Sequence, residues 1–215
     1  VTERAGYQVE TNAFWYNAIS FAIDMETRYG SKKSPFVAKW STIRDLVKAN
    51  YQPTFWNEEY GCLADYVDNE GQHMQIRPNQ LFAIAVPFSP IDEALAPSIL
   101  RIIDNELVTA RGIRTLSPRD AYYKGVYEGP QRERDLAYHG GSTRPFLLRP
   151  YVEVSLKIKG PAFWKRAEWL LEGFYADLSK HGVGAFSELY DGDPPHEPHG
   201  AISSALSTAA LLTIE

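Results

Sequence analysis

Four segments of this chain repeat their apolar residues at helical spacing, and that periodicity limits the fold more than any other feature. From Pro161 to His181, the residues Phe163, Ala167, Leu170, Leu171, Phe174 and Leu178 share one face. From Asn12 to Arg28, Phe14, Trp15, Ala18, Phe21, Ala22 and Met25 form a second stripe, which stops before Gly30. Ser34 caps a third helix that starts with Pro35 at its first position. Its face carries Phe36, Trp40, Ile43 and Val47, and it ends near Ala49. The fourth segment, Asp92 to Leu107, turns Ile99, Ile102, Ile103 and Leu107 inward. Shorter helices are expected from Pro78 through Ala85, at about Thr143 to Lys157, and from Ala201 to Leu212. Tyr51 to Glu59 is short and irregular, and only Cys62 to Val67 alternates like a strand. The expectation is an all-α fold of six or seven helices with little strand.

Three connections, at 50–78, 112–141 and 182–200, are long for a compact domain, and such loops are usually functional. The last holds Glu188, Asp191, Asp193, His196, Glu197 and His199 among its glycines and prolines. Two readings stand side by side. One is a catalytic loop on a helical scaffold. The other is a solvated turn whose charges serve solubility.

Composition removes several alternatives. The net charge of −5 argues against a nucleic-acid binder, which needs a basic face. No apolar run approaches the roughly 18 residues of a membrane span. Cys62 is the only cysteine, so neither an intrachain disulfide nor a thiolate zinc cluster is possible. His196 and His199 have metal-like spacing but lie in a proline-rich loop, so no metal and no cofactor is expected. There is no phosphate-binding glycine loop and no Gly-x-Ser-x-Gly elbow. What remains is carboxylate chemistry beside aromatic and amide groups, which suits glycosidic bonds. The 215 residues, 44% hydrophobic, suffice for the core of one domain or a large part of one. A start at Val1 without an apolar leader reads as a processed or shortened chain.

Five motifs occur in one order: Val9-Glu-Thr-Asn-Ala-Phe-Trp-Tyr-Asn-Ala18, Ile76-Arg-Pro-Asn-Gln80, Gly112-Ile-Arg-Thr-Leu-Ser-Pro118, Arg134-Asp-Leu-Ala-Tyr-His139 and Ser187-Glu-Leu-Tyr-Asp-Gly-Asp193. Together they resemble the C-terminal half of the amylo-α-1,6-glucosidase domain of glycogen debranching enzymes, from Val1 to the chain's end. The resemblance implies about half of an α/α toroid of the six-hairpin glycosidase type. Residues 1–215 would then be the C-terminal portion of a single catalytic domain. It implies inverting hydrolysis of α-1,6-glucosidic branches in glycogen-like glucans, with Glu188 as general base. The general acid of relatives lies in a Thr-Trp-Met-Asp-Ala segment ahead of the region matching Val1. That segment is not in this chain. Trp15, Tyr16, Asn17, Arg77, Asn79, Gln80, Tyr138, His139 and Asp191 are the implied substrate contacts. An α-glucan partner, a cytoplasmic location, and an N-terminal half or partner chain covering the open edge follow from the same resemblance.

Structural readings stand beside these roles. Trp15 is also a candidate core residue, and Asn17 belongs either to a satisfied network or to a ligand contact. Arg77 could pair with Asp65 or Asp68, and Asn79 could satisfy backbone donors at a helix start. Tyr138 and His139 could be packing residues. The chain also departs from its relatives, which read Tyr-His-Gln-Gly-Thr-Val-Trp-Pro where this one reads Tyr138-His-Gly-Gly-Ser-Thr-Arg-Pro145. They end Gln-Ala-Trp-Ser where this chain has Ser204-Ala-Leu-Ser207. Gly140, Arg144, Ser204 and Leu206 thus replace amides and indoles. They favour the alternative reading, a catalytically degenerate carbohydrate-binding or scaffold relative.

Overall fold

The computed structural model describes residues 2–31 and 34–214. The chain divides into two compact units, one of Arg4–Met74 and Asn79–Ile99, the other of Val1–Glu3, Gln75–Pro78 and Leu100–Glu215. Helix predominates over strand, as the apolar periodicity requires.

The first unit is built on helix α1 (Val9–Tyr29), which packs against α2 (Phe36–Phe55) and α3 (Gln80–Ala85). α1 buries Val9, Ala13, Ile19 and Ile23 but leaves Phe14, Trp15 and Phe21 exposed. α2 starts one residue later than expected, with Pro35 rather than Ser34 at its N-cap, and the Ser34 hydroxyl accepts a bond from Phe36 N–H at 3.3 Å. α2 runs past the expected end at Ala49 and holds Pro53 in its last turn. Burial draws it on: Tyr51 and Phe55 are its buried residues, and the Tyr51 hydroxyl donates to the Val9 carbonyl at 2.9 Å. Its expected stripe of Phe36, Trp40, Ile43 and Val47 is only half-buried.

The alternating Cys62–Val67 segment is two strands in two small sheets. β3 (Cys62–Leu63) pairs antiparallel with β2 (Trp56–Asn57). β4 (Tyr66–Asp68) lies between β1 (Tyr7–Gln8) and β5 (Gly71–His73). Burial pushes the Cys62 thiol up to about 11, which suits an inert core residue.

The boundary between the units falls inside α4 (Ala96–Glu106). Beyond it, the second unit carries a five-stranded antiparallel sheet that the sequence did not announce. Its order is β10 (Pro198–His199), β9 (Leu189–Tyr190), β8 (Thr143–Arg144), β7 (Gly112–Arg114), β6 (Val108–Thr109). Each strand has two or three residues, too few for alternation to show. The strictly all-α expectation is corrected to a mostly helical chain with small sheets. Helix α5 (Gln131–Gly140) was also hidden, within the expected 112–141 loop, because it buries only Ala137 and Gly140.

α7 (Trp164–Tyr175) buries the expected Ala167, Leu170, Leu171 and Phe174, α6 (Leu148–Lys159) starts later than the expected Thr143, and α8 (Ala205–Leu212) packs on the 3₁₀ turn Pro145–Leu147. α8 leaves Leu206 and Leu212 exposed. Gly173 sits mid-helix in α7 because a Cβ there would stand 2.7 Å from the Ala110 carbonyl oxygen. After α7 the chain tightens into a 3₁₀ turn, Ala176–Ser179, which rotates Asp177 inward and leaves Leu178 half-buried.

Asp177 is 4% exposed and faces Arg111 Nε at 3.0 Å, with the buried Tyr190 beside it. Replacing Asp177 with Ala leaves a guanidinium without its counter-charge, a loss of about 3–5 kcal/mol for a buried pair. The exposed Arg149–Glu153 pair on α6 is the control: Arg149→Ala should cost about 1 kcal/mol or less. Equal losses for the two variants in urea denaturation would show that the Arg111–Asp177 contact does not stabilise this sheet.

Candidate active site

Glu188 precedes β9 and lies across the strand pair from Gly200, continuing the register in which His199 faces Leu189. Glu188 N–H donates to the Ala201 carbonyl at 2.9 Å, and Ala201 N–H returns a bond to Glu188 Oε2 at 3.0 Å. Gly200 has φ +72, and a Cβ on it would lie 2.7 Å from Oε2. Only glycine meets both demands without strain. The carboxylate is thus fixed by backbone before any side chain reaches it.

Two side chains complete its shell. The Tyr138 hydroxyl, from the last turn of α5, donates to Oε1. Arg144 Nη1, from β8, stands 3.1 Å from the same oxygen. The guanidinium also lies 3.7 Å over the Tyr138 ring, a close cation–π contact. Partial burial pushes the Glu188 carboxyl up. The bonds from Tyr138, Ala201 and Arg144 outweigh it and hold the group below its ordinary value. Glu188 keeps 29% side-chain exposure, whereas Arg144 has 8%.

Arg77 is 7% exposed and fastens the neighbouring backbone. Its Nη1 donates to the Thr115 carbonyl at 3.1 Å and to the His139 carbonyl at 2.5 Å, and its Nε and Nη2 reach Gln75 Oε1. The His139 carbonyl belongs to the last turn of α5, where carbonyls lack helical partners. Arg77 therefore sets the end of the helix that presents Tyr138. Neither carboxylate weighed from sequence, Asp65 or Asp68, is its partner in these bonds.

Asp191 is 5% exposed. Its Oδ1 accepts from Tyr127 N–H at 2.7 Å and faces His199 Nε2 at 3.0 Å. Its carbonyl accepts from Thr143 Oγ1 and lies 2.8 Å from His196 Nδ1, a residue held at φ +62. Around this knot the half-exposed rings of Tyr127 and Tyr138 stand 6.3 Å apart. His199 flanks Tyr127 at 5.5 Å, and exposed His139 meets Tyr138 edge-on at 4.8 Å.

The second unit therefore brings Glu188, Tyr138, His139, Arg77 and Asp191 into one bonded neighbourhood. The remaining candidates belong to the first unit. Asn79 Nδ2 donates to Asp65 Oδ1 at 2.8 Å, and Asp65 pairs with Arg4. Gln80 is 2% exposed and accepts from Leu63 N–H. Asn17 Oδ1 accepts from Phe88 N–H at 3.1 Å. Trp15 is 47% exposed and edges onto Trp40 at 6.0 Å. Tyr16 lines a cavity of about 390 Å³ with Ser20, Asp24 and Arg44.

Sequence reasoning had marked Arg144 only as a departure, not as a partner of Glu188. Forty-four residues separate them, and no local pattern signals the contact. Gly200 and Ala201 were missed likewise. Among the described residues, no group of three or more His, Cys, Asp or Glu is placed to hold a metal ion.

The chain matches the amylo-alpha-1,6-glucosidase family over residues 1–213. No curated protein matches it. Among solved structures it is similar to a GH63 mannosylglycerate hydrolase from Thermus thermophilus, at 13% identity and TM-score 0.67, covering 97% of this chain and 45% of that one. It is similar to the neutral trehalase of Saccharomyces cerevisiae at 14% identity and TM-score 0.63, covering 94% and 36%. A sialidase matches at 13% identity and TM-score 0.68, covering 96% of this chain and 19% of its own. At such identities the likeness is one of fold. The chain spans less than half the length of each.

The Glu188 shell yields a pH-dependent outcome. A carboxyl whose folded pKa is depressed stabilises the fold above its unfolded pKa, and that contribution is lost as pH falls through the folded value. Tyr138→Phe removes one lowering bond, so native protein should exceed the variant in stability at neutral pH. The gap should shrink as Glu188 protonates. A gap in melting temperature that is the same at pH 7 and pH 3 would mean that the hydroxyl acts on something other than the ionised carboxylate.

Proposed function

Since the chain belongs to the amylo-alpha-1,6-glucosidase family, we propose that it is part of an inverting glycoside hydrolase acting on α-1,6-glucosidic branches of glycogen-like glucans. Glu188 is the general base. The observation that carries this reading is the Glu188 carboxylate itself. It is anchored by the Ala201 amide, is bonded to Tyr138 from a second family-like motif, and is held on the ionised side while still partly open to solvent. An ionised, oriented carboxylate is what water activation needs.

The rings of Tyr127, Tyr138, His139 and His199 supply a half-exposed aromatic surface beside it, suited to the apolar face of a sugar. On this reading Glu188 Oε2 takes a proton from a water attacking the anomeric carbon from the face opposite the leaving oxygen. A second carboxyl, roughly 6.5–9.5 Å away, protonates that oxygen. The resemblance assigns this acid to an Asp ahead of the region matching Val1. The 215 residues would then be about half of an α/α toroid. The apolar side chains exposed on α1 and α8 would be covered by the remainder or by a partner chain. The same reading gives a cytoplasmic protein with an α-glucan ligand. Trp15, Tyr16, Asn17, Asn79 and Gln80 keep their proposed substrate roles on the resemblance. Arg77 and Asp191 act in it by shaping the base's surroundings.

One observation favours the second reading, a carbohydrate-binding relative without turnover. Arg144 occupies the place of a relative's Trp and sets a full positive charge against the base. A base so neutralised is a weaker proton acceptor.

The two readings separate in the intact protein on an α-1,6-linked glucan. A hydrolase releases glucose as the β-anomer, observable by NMR before mutarotation. Glu188→Gln should lower kcat by roughly 10²–10⁴-fold with KM largely kept. Glucan binding without any glucose release by native protein decides for the second reading. Release of the α-anomer would rule out inversion.

A further inference from the structure

Among the described residues, Glu188 Oε1 accepts from both Tyr138 and Arg144, whereas Oε2 accepts only from Ala201 N–H. A carboxylate oxygen has room for about two donors. Oε1 is therefore filled and Oε2 retains one position. The group that fills Oε1 is unusually well fixed. Arg144 lies on β8, paired through Ile113 to β7 on one side, while its neighbour Thr143 pairs with Tyr190 of β9 on the other. Its side chain is stacked on the Tyr138 ring and is 8% exposed. A guanidinium held at both its face and its edge loses little further freedom on pairing.

We propose that Arg144 is a positioning residue for Glu188, clamping Oε1 so that Oε2 is the oxygen left to meet a water or a ligand hydroxyl. The inference rests on the hydrolase reading for its catalytic consequence but not for the clamp itself. A guanidinium is a cation across the working pH range, so the clamp is permanent rather than switched. Its effect is to trade basicity for order. The carboxylate stays ionised on the acid side and its orientation is fixed, at the cost of a weaker pull on a proton.

Among the described residues of this shell, no second cation faces Glu188. α5 contributes the Tyr138 hydroxyl and β8 contributes Arg144. The strand opposite contributes the Ala201 amide and Gly200. Of the nearby imidazoles, His199 faces Asp191, His181 Nδ1 lies 2.8 Å from Ser187 Oγ, His196 Nδ1 lies 2.8 Å from the Asp191 carbonyl, and His139 meets the Tyr138 ring edge-on at 4.8 Å.

The test is the titration of the Glu188 carboxyl carbon by ¹³C NMR in the intact protein, assigned by its loss in Glu188→Gln. It is paired with the pH profile of kcat/KM on an α-1,6-linked glucan. Arg144→Gln should raise the Glu188 midpoint by about one pH unit, the lower end of the range for a carboxylate losing an adjacent Arg. The acid limb of the profile should move with it. Arg144→Lys keeps the charge without the planar stack and should give a smaller shift, and it serves if the Gln variant does not fold. An unmoved midpoint in a folded variant overturns the clamp whatever the turnover. A shifted midpoint in a protein without turnover supports the clamp and removes the hydrolase reading.

Discussion

The second unit is organised around one electrostatic constraint: a partly buried carboxylate must find donors for what it loses in hydration. Glu188 finds them on three different pieces of chain. The Ala201 amide comes from the strand opposite, the Tyr138 hydroxyl from the end of α5, and the guanidinium from β8. Each bond ties its own piece of backbone to the same point. None of these pieces is long enough to hold its place alone. β8, β9 and β10 have two residues each, and α5 buries only Ala137 and Gly140. The charge thus helps to order elements that the hydrophobic effect alone would leave loose.

Arg77 and Asp191 extend the same logic outward. Arg77 takes up the Thr115 and His139 carbonyls, so α5 ends at a defined place and Tyr138 points at Glu188. Asp191 accepts the Tyr127 amide and meets His199, which draws the 125–127 loop onto the β9–β10 hairpin. Both are buried and bonded internally. Their part in any chemistry is exerted through the residues they place. Polar groups used this way are exacting, because a buried donor left unpaired costs more than a paired one contributes.

How much of this was legible in the sequence follows from the range of each interaction. α4 and α7 were readable because burial of Ile99, Ile103, Leu170 and Phe174 imposes a helical period on the sequence itself, whereas the α1 helix was read from a stripe whose Phe14, Trp15 and Phe21 are exposed, its buried face being Val9, Ala13, Ile19 and Ile23. α5 was not readable, since its outward charges dominate the pattern and its value lies in where Tyr138 ends up. The five-stranded sheet was invisible because two residues cannot alternate. Glu188 was legible as a carboxylate in a turn-rich loop, and its role came with the family-like motif rather than from spacing. The contact with Arg144 was beyond reach, because it joins strands whose pairing nothing local encodes.

The exchange of a relative's Trp for Arg144 shows how a departure is absorbed physically. An indole at that position would offer a flat apolar face and no charge. The guanidinium is also flat, and it keeps the stacking on Tyr138 at 3.7 Å. Its edge adds a charge-assisted bond to Oε1. At Gly140 the relatives' amide has gone, and a Cβ there would meet only the Tyr122 carbonyl, at an ordinary 3.5 Å. The two changes lie on the same short segment between Tyr138 and Pro145. One removes a side chain from the end of the helix that carries Tyr138, and the other fills the shell of the carboxylate. A neutral amide and an aromatic face are thereby replaced by a glycine and a fixed positive charge. The consequence falls first on Glu188, whose carboxyl is held low by the Tyr138 and Ala201 bonds and, added to them, by the Arg144 charge.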